Sequence, residues 1–164
     1  MPMMLDGSCR CGAVRFAVAS HTPHPYQLCY CSICRKTGGG GGFAINIMGV
    51  AATLKVKGRK TLRVWRATVE RDGVCETSSG QRHFCARCAS ALWMFDPQWP
   101  DMVYPMASAI DTDLPAPPAR VHMMLRFKAS WVRPDVDPQD DCYDTWDAAQ
   151  SIEKWHRDRG LWID

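Results

Sequence analysis

The chain has 164 residues, of which 46% are hydrophobic and 23% charged, and its formal net charge is +3. A chain of this length buries enough surface to fold as a single domain over residues 1–164 without the help of disulfides. Its apolar runs are too short to cross a bilayer and its first residues do not resemble a secretory leader, so we expect a cytoplasmic protein without a membrane partner.

Short runs of β-favouring residues, separated by Gly and Pro, recur along most of the chain. The Pro- and Asp-rich segments 105–118 and 133–141 predict connecting loops. The sequence therefore predicts a mainly β fold. Its strands are expected over residues 13–18, 26–30, 43–48, 53–57, 62–69, 91–95, 102–107 and 121–127.

The C-terminal part of the chain has a different pattern, which predicts one helix within about residues 144–159. Asp144 or Thr145 is a suitable N-cap, and Gly160 follows the last helical position. Four apolar residues recur at every third position between these signals. They are Trp146, Ala149, Ile152 and Trp155.

Nine cysteines are far more than a domain of this size needs for its core, and seven of them fall in three tight clusters. In a reducing cytoplasm such clusters favour metal binding over disulfides. Four thiolates complete a tetrahedral zinc site, and the remaining three would leave one position open, as in catalytic zinc sites. The clusters are Cys9 and Cys11; Cys29, Cys31 and Cys34; and Cys85 and Cys88.

Spacing alone does not decide which clusters combine. Three cysteines within residues 29–34 are expected to stay together, yet Cys31 and Cys34 with the pair at 85 and 88 would also form an ordinary two-knuckle zinc ribbon. A C-x-x-C pair also has a redox interpretation, which we consider weaker than metal binding for the three clusters together.

Three segments resemble the cysteine signatures of the glutathione-dependent formaldehyde-activating enzyme family, which includes centromere protein V. They are residues 7–14, 29–36 and 84–88. Order and spacing agree over residues 7–95, and a weaker likeness extends the match to about residues 7–131. The predicted C-terminal helix at 144–159 lies outside it as an extension.

The resemblance implies a mainly β, β-tent sandwich with zinc knuckles and two zinc ions per chain. One zinc would be structural and the other would have an open position that faces the substrate. The implied activity is that of a carbon–sulfur lyase, similar to S-hydroxymethylglutathione synthase, acting on a glutathione-type thiol and a small aldehyde. The implied ligands are Cys9, Cys11, Cys85 and Cys88 for the first ion, and Cys29, Cys31 and Cys34 for the second.

This sequence departs from the family pattern at three places. Tyr30 replaces a common His, Ala89 replaces the Gly that usually follows the last C-x-x-C, and five glycines at 38–42 replace a more varied loop. The first and third departures lie next to the three-cysteine cluster, so they bear on the substrate more than on the fold.

Several residues near this cluster are candidates for contact with substrate. Tyr30 is the candidate catalytic group beside the three cysteines, because an aldehyde oxygen that becomes an alkoxide needs a proton or a positive partner. Arg35 and Lys36 offer charge to carboxylates, and Gly39 and Gly40 offer backbone N–H groups to an anionic ligand. His83 is a weaker candidate. Outward packing of the Tyr and a solvated face for the two basic residues are the ordinary alternatives.

Two other function classes remain open on the sequence. The chain is alternatively a noncatalytic zinc-stabilised binding module, in which Cys75 or His83 supplies the fourth ligand. A nucleic-acid-binding ribbon would need clustered basic residues, and the basic residues of segment 55–71 are better explained as a solvated sheet face. Seven thiolates and two zinc ions would also bring the formal charge to about zero, so we expect no nucleic-acid partner.

Overall fold

A computed structural model describes residues 1–38, 40–147 and 149–164, and the Arg71 side chain is also outside the description. The described residues form twelve strands and two α-helices, which confirms the mainly β prediction. The strands are β1 (Met3–Ser8), β2 (Arg15–Ser20), β3 (Gln27–Cys29), β4 (Ala44–Ile45), β5 (Gly49–Val50), β6 (Lys55–Lys57), β7 (Leu62–Arg71), β8 (Val74–Cys85), β9 (Ala91–Phe95), β10 (Met102–Pro105), β11 (Val121–Met123) and β12 (Asp141–Cys142). The helices are α1 (Ser32–Gly38) and α2 (Ile152–Asp158).

The strands form three small sheets. Their orders are β1-β2-β6, β5-β10-β9-β8-β7 and β12-β11-β3-β4. Pairing is antiparallel in the first two sheets, whereas β11 runs parallel to both β3 and β12. The main core draws on all three sheets and includes Leu5, Phe16, Leu92 and Trp93. No helix within the described ranges is both long and apolar enough to span a bilayer.

The core positions the cysteine clusters at the ends of strands. One pair lies in the loop between β1 and β2, and another lies in the turn between β8 and β9. The three remaining clustered cysteines lie where β3 ends and α1 begins. Cys9, Cys29, Cys34 and Cys85 are buried members of the main core, so both clusters are held by the best-packed part of the molecule.

The predicted C-terminal helix is shorter than its pattern indicated. It begins at Ile152, and its N-cap is Ser151, whose hydroxyl accepts a hydrogen bond from the Lys154 N–H. The expected caps make other contacts, because the carbonyls of Asp144 and Thr145 accept hydrogen bonds from the segment after β11. The Asp147 carboxylate accepts a hydrogen bond from the Ala149 N–H, a local contact that competes with helix formation.

The sequence pattern missed the strands β1, β5, β8 and β12 and the helix α1. The strand β8 is largely polar, but it pairs with β7 across a two-residue turn in which Asp72 and Gly73 have φ values of 51° and 77°. Positive φ at both central residues is the geometry of a type I′ hairpin turn. The helix α1 begins directly after Cys31 and continues for two turns to Gly38, in a segment for which the sequence predicted no helix.

Candidate functional site

The structure brings four cysteines from two distant turns together. Their sulfur atoms all lie within 4.8 Å of one another. The Sγ atoms of Cys9 and Cys11 are 3.6 Å apart, and those of Cys11 and Cys85 are 3.8 Å apart. Sulfurs at ~2.3 Å from a tetrahedral metal lie about 3.8 Å apart, so this set, which Cys88 completes, fits a closed zinc site. Spacing left open which cysteine clusters combine, and the structure shows that the pair at 9 and 11 lies with the pair at 85 and 88.

Tight backbone turns aim these sulfurs at one point. Gly12 and Ala89 have φ values of 72° and 59°, which lie in the left-handed region. The Val14 N–H donates to the Cys9 Sγ at 3.2 Å. A hydrogen bond with the Ser90 hydroxyl lowers the pKa of Cys88 to about 5. Positive φ is easiest for glycine, which explains why Gly is usual where this chain has Ala89.

A second cluster is formed by Cys29, Cys31 and Cys34, whose sulfurs also lie within 4.8 Å of one another. The first and third are buried, and Cys31 is partly exposed. No fourth His, Cys, Asp or Glu from the described residues joins this set. The candidate fourth ligands lie elsewhere: Cys75 is exposed on β8, and the His83 ring stacks on Trp93.

The three thiols cannot all ionise at such short separations without a cation. Hydrogen bonding from the neighbouring thiols lowers the pKa of Cys31 to about 2, and the same interaction raises the pKa of Cys29. A thiolate at Cys31 therefore opposes ionisation of the other two sulfurs. The Cys34 N–H stabilises that charge by donating to the Cys31 Sγ at 3.3 Å.

Arg82 is a site residue that sequence reasoning missed. It extends from β8, and its Nη2 donates to the Cys34 Sγ at 3.8 Å. Its Nη1 is buried and has no hydrogen-bond partner among the described residues. A buried guanidinium nitrogen without an acceptor is costly, so this group is suited to an anionic or oxygen-containing ligand beside the three cysteines.

Tyr30 lies between two of the clustered cysteines but on the other face of β3. Its side chain is 1% exposed and packs with Leu28 and Val132, whereas Cys29 belongs to the main core. Its hydroxyl is 2.9 Å from the Nδ1 of His122, whose Nε2 is 3.2 Å from the Asp140 carboxylate. The hydroxyl thus already has a protein partner.

Asp140 anchors this buried chain. Burial alone would raise the pKa of its carboxyl. Hydrogen bonds from the Asp137 and Arg120 N–H groups and from His122 outweigh burial and lower that pKa to about 2. The Arg120 side chain also forms ion pairs with the carboxylates of Asp137 and Asp140. Charge-assisted contacts thus hold this chain at its Asp140 end.

The other predicted substrate residues occupy different positions. Arg35 is half-buried on α1, one turn after Cys31, and its Nε is buried without a partner among the described residues. Lys36 is exposed. Gly40 is exposed with open space around it, and Gly39 lies outside the described residues.

Among the described glycines of this run, Gly42 is the one that the backbone requires. Its φ is +87°, and a Cβ there would lie 2.3 Å from the Val132 side chain. Gly42, at the end of the glycine run, therefore allows close contact with Val132 in the segment after β11.

Comparisons with known proteins agree with this geometry. A family model described as "Glutathione-dependent formaldehyde-activating enzyme" matches residues 4–125. A Halomonas elongata protein named "Putative glutathione-dependent formaldehyde-activating enzyme" is 55% identical over 159 residues, which cover 97% of this chain and 98% of that protein. A crystal structure of a Rhodobacter sphaeroides protein has a similar fold, with a TM-score of 0.51 and 22% identity over 69% of this chain and 92% of that one.

Proposed function

The chain belongs to the glutathione-dependent formaldehyde-activating enzyme family, and on that premise we propose that it catalyses the reversible addition of a small-molecule thiol, such as glutathione, to a small aldehyde. Read in reverse, the reaction is that of a carbon–sulfur lyase. One observation carries the proposal: three cysteine sulfurs converge, and the described residues offer no fourth protein ligand to close the set.

We propose zinc as the metal at both clusters. Soft thiolate donors favour zinc over magnesium or calcium, and the sulfur separations of the four-cysteine set match a tetrahedral zinc site. Four ligands make the first site closed and structural. A zinc ion held by Cys29, Cys31 and Cys34 supplies, when bound, a fourth position and a lowered pKa for a thiol that enters it.

The chain's own residues then have distinct tasks. The sulfur of the bound thiol forms a bond to the carbonyl carbon, and the proton released by the thiol ends on the former carbonyl oxygen. The unpartnered Nη1 of Arg82 offers a hydrogen bond to that oxygen while it carries negative charge. We also propose that Arg35, whose Nε is buried without a partner among the described residues, binds a carboxylate of the thiol.

We assign Tyr30 a positioning task. Its hydroxyl is bonded to His122 on the far side of β3, and this contact fixes the strand that carries Cys29. Since the Tyr30 side chain is buried, it does not need to touch the aldehyde in order to influence the site.

We also propose a domain organisation and a cellular location for the chain. We propose that residues 1–164 form one domain, because Trp155 of α2 stacks on Tyr26 before β3, with ring centroids 3.9 Å apart. A cytoplasmic location suits the seven clustered cysteines, since the reducing conditions there keep thiols free.

Exchange NMR tests the activity directly. With glutathione and formaldehyde at equilibrium, the zinc-loaded protein should raise the rate of exchange between free and thiol-bound formaldehyde, and the effect should saturate with glutathione. Cys31→Ser should reduce the exchange to the uncatalysed rate, because it removes the most accessible ligand. Cys75→Ser is the matched control, since Cys75 is exposed and lies outside both clusters, and it should retain the full rate.

An equal rate in wild type and Cys31→Ser would contradict the proposal. So would a wild-type protein with two bound zinc ions that leaves the exchange unchanged. In that case the noncatalytic binding module is the better description.

A further inference from the structure

A second feature of the molecule is a cavity of about 440 Å³ between α2 and the β3–β11 face. Its size is typical of a site for a small organic molecule. Six of the residues that line it are aromatic and three are methionines. These are Tyr26, Trp99, Tyr104, Tyr143, Trp146 and Trp155, with Met48, Met102 and Met123.

The wall of the cavity is selective in charge. None of the described residues that line it is Lys, Arg or His, and two of them, Asp147 and Glu153, are carboxylates. An anionic ligand such as glutathione would therefore be repelled. A neutral ligand with an apolar surface suits this wall.

The cavity lies on the same sheet face as the three-cysteine cluster. Side chains alternate along a strand, so Gln27 and Cys29 project from one face of β3. Their partners on β11, Val121 and Met123, share that face. Gln27, Val121 and Met123 line the cavity, and Met123 packs against the core that includes Cys29. Two residues of a strand span about 7 Å, so Gln27 on the cavity wall lies about that far along β3 from Cys29.

We propose that this cavity holds the non-reacting part of the aldehyde, and that the preferred aldehyde carries a neutral aromatic or other apolar group. The inference rests on the proposed thiol–aldehyde function. Formaldehyde has two heavy atoms, about the size of two water molecules, and would occupy a small part of the cavity. The larger aldehyde reacts by the same balanced step: the thiol sulfur bonds to the carbonyl carbon, and the thiol proton ends on the oxygen.

The cavity is built partly by residues outside the family match. The family model ends at residue 125, and Tyr143, Trp146 and Trp155 come after it. The C-terminal segment thus adds an apolar wall to a reaction site that the rest of the chain builds. This placement predicts that substrate preference, more than the reaction itself, depends on that segment.

Two aldehydes that differ by one phenyl group test this inference. Exchange NMR with glutathione should give a kcat/KM at least tenfold higher for 3-phenylpropanal than for propanal, because the phenyl group enters the cavity. The double variant W99A/W146A removes two half-exposed cavity walls and should reduce that ratio to threefold or less. Trp131→Ala is the matched control, since Trp131 is similarly exposed and lies outside the cavity wall, and it should keep the ratio.

The outcomes separate the two proposals. Equal values for the two aldehydes, in a protein that accelerates formaldehyde exchange, would overturn the cavity assignment and leave the proposed function intact. A ratio that survives in W99A/W146A would also overturn the assignment. Failure to accelerate exchange of formaldehyde, propanal and 3-phenylpropanal alike would overturn the proposed function, and the cavity assignment with it.

Discussion

The two cysteine clusters are built from the same residue type, but the chain supplies their sulfurs in different ways. The four-cysteine cluster joins two turns, and its members Cys11 and Cys85 are 74 positions apart. The three-cysteine cluster comes from six consecutive residues, 29–34. A metal in the first would close a long loop of chain and so stabilise the fold, whereas a metal in the second would constrain almost nothing beyond β3 and α1.

The largest expected effect is on stability after loss of a ligand from the four-cysteine cluster. Cys85 is fully buried. In the loop-entropy account, a cross-link that closes a loop of this length raises the free energy of the unfolded chain by about 4 kcal/mol. Cys85→Ser should therefore release one metal ion and unfold most of the protein. Thermal unfolding with metal analysis should show a Tm loss several times larger than that of Cys31→Ser.

Similar Tm losses in Cys85→Ser and Cys31→Ser would remove the distinction between the clusters. The second cluster would then be structural as well. The variant Cys75→Ser again serves as the control, because an exposed cysteine outside both clusters should have little effect on Tm.

A smaller effect is the pH dependence of stability that His156 in α2 contributes, which involves neither cysteine cluster. His156 is fully buried beside His24, with ring centroids 5.4 Å apart, and burial lowers its pKa to about 4. The unfolded state takes up a proton near pH 6.5, while the folded state does so only near pH 4. Stability is therefore complete above pH 6.5 and falls as pH decreases, by about 2 kcal/mol between pH 7 and pH 5.

Denaturant unfolding of wild type and His156→Gln at pH 7 and pH 5 measures this contribution. The variant should lose most of the pH dependence, although its stability at pH 7 will be lower because the hydrogen bond from His156 Nδ1 to the Ile152 carbonyl changes. An unchanged slope in the variant would show that other groups are responsible for the pH dependence.

Arg82 provides a test confined to the three-cysteine region. Arg82→Gln removes the positive charge beside Cys34 but keeps a hydrogen-bond donor, so we expect kcat/KM to fall about tenfold, or ~1.4 kcal/mol. Arg82→Lys should recover part of the loss, because it restores charge without the planar geometry. Both variants should retain two metal ions and the wild-type Tm within a few degrees. A large Tm loss in both variants, with unchanged kinetics, would assign Arg82 to the fold.

The smallest effect lies in the four-cysteine region. Ala89 has a φ of 59°, a conformation that costs an L-residue roughly 1 kcal/mol more than glycine. Ala89→Gly should therefore raise Tm by about 2–4 °C and leave exchange activity unchanged. A decrease in Tm would show that the turn tolerates Ala89 without strain.

The sequence predicted the cysteine clusters because metal binding needs particular residue types at short spacing. It did not decide the partners of Cys85 and Cys88, since that choice depends on how the β1–β2 and β8–β9 connections meet in space. The family resemblance supplied the pairing, and the structure confirms it as a spatial cluster.

The remaining differences have separate physical causes. The strand β8 has little apolar alternation and is held by pairing with β7 and β9, but Asp72-Gly73 was an available hairpin signal. Nothing in the sequence around Arg82 marked it as a site residue, because its contact with Cys34 joins positions 48 residues apart. Tyr30 lies next to the cysteines in sequence, but strand alternation turns its side chain away from the cysteines on either side.

The most direct test of the central claim is the number of sulfur neighbours around zinc, measured by X-ray absorption on the two-zinc protein with and without glutathione. One closed and one open site predict an average of about 3.5 sulfurs per zinc, rising to about 4 when glutathione is added. Cys75→Ser should behave like wild type. An average that is already 4 without glutathione, or that does not rise with it, would contradict an open position at Cys29, Cys31 and Cys34.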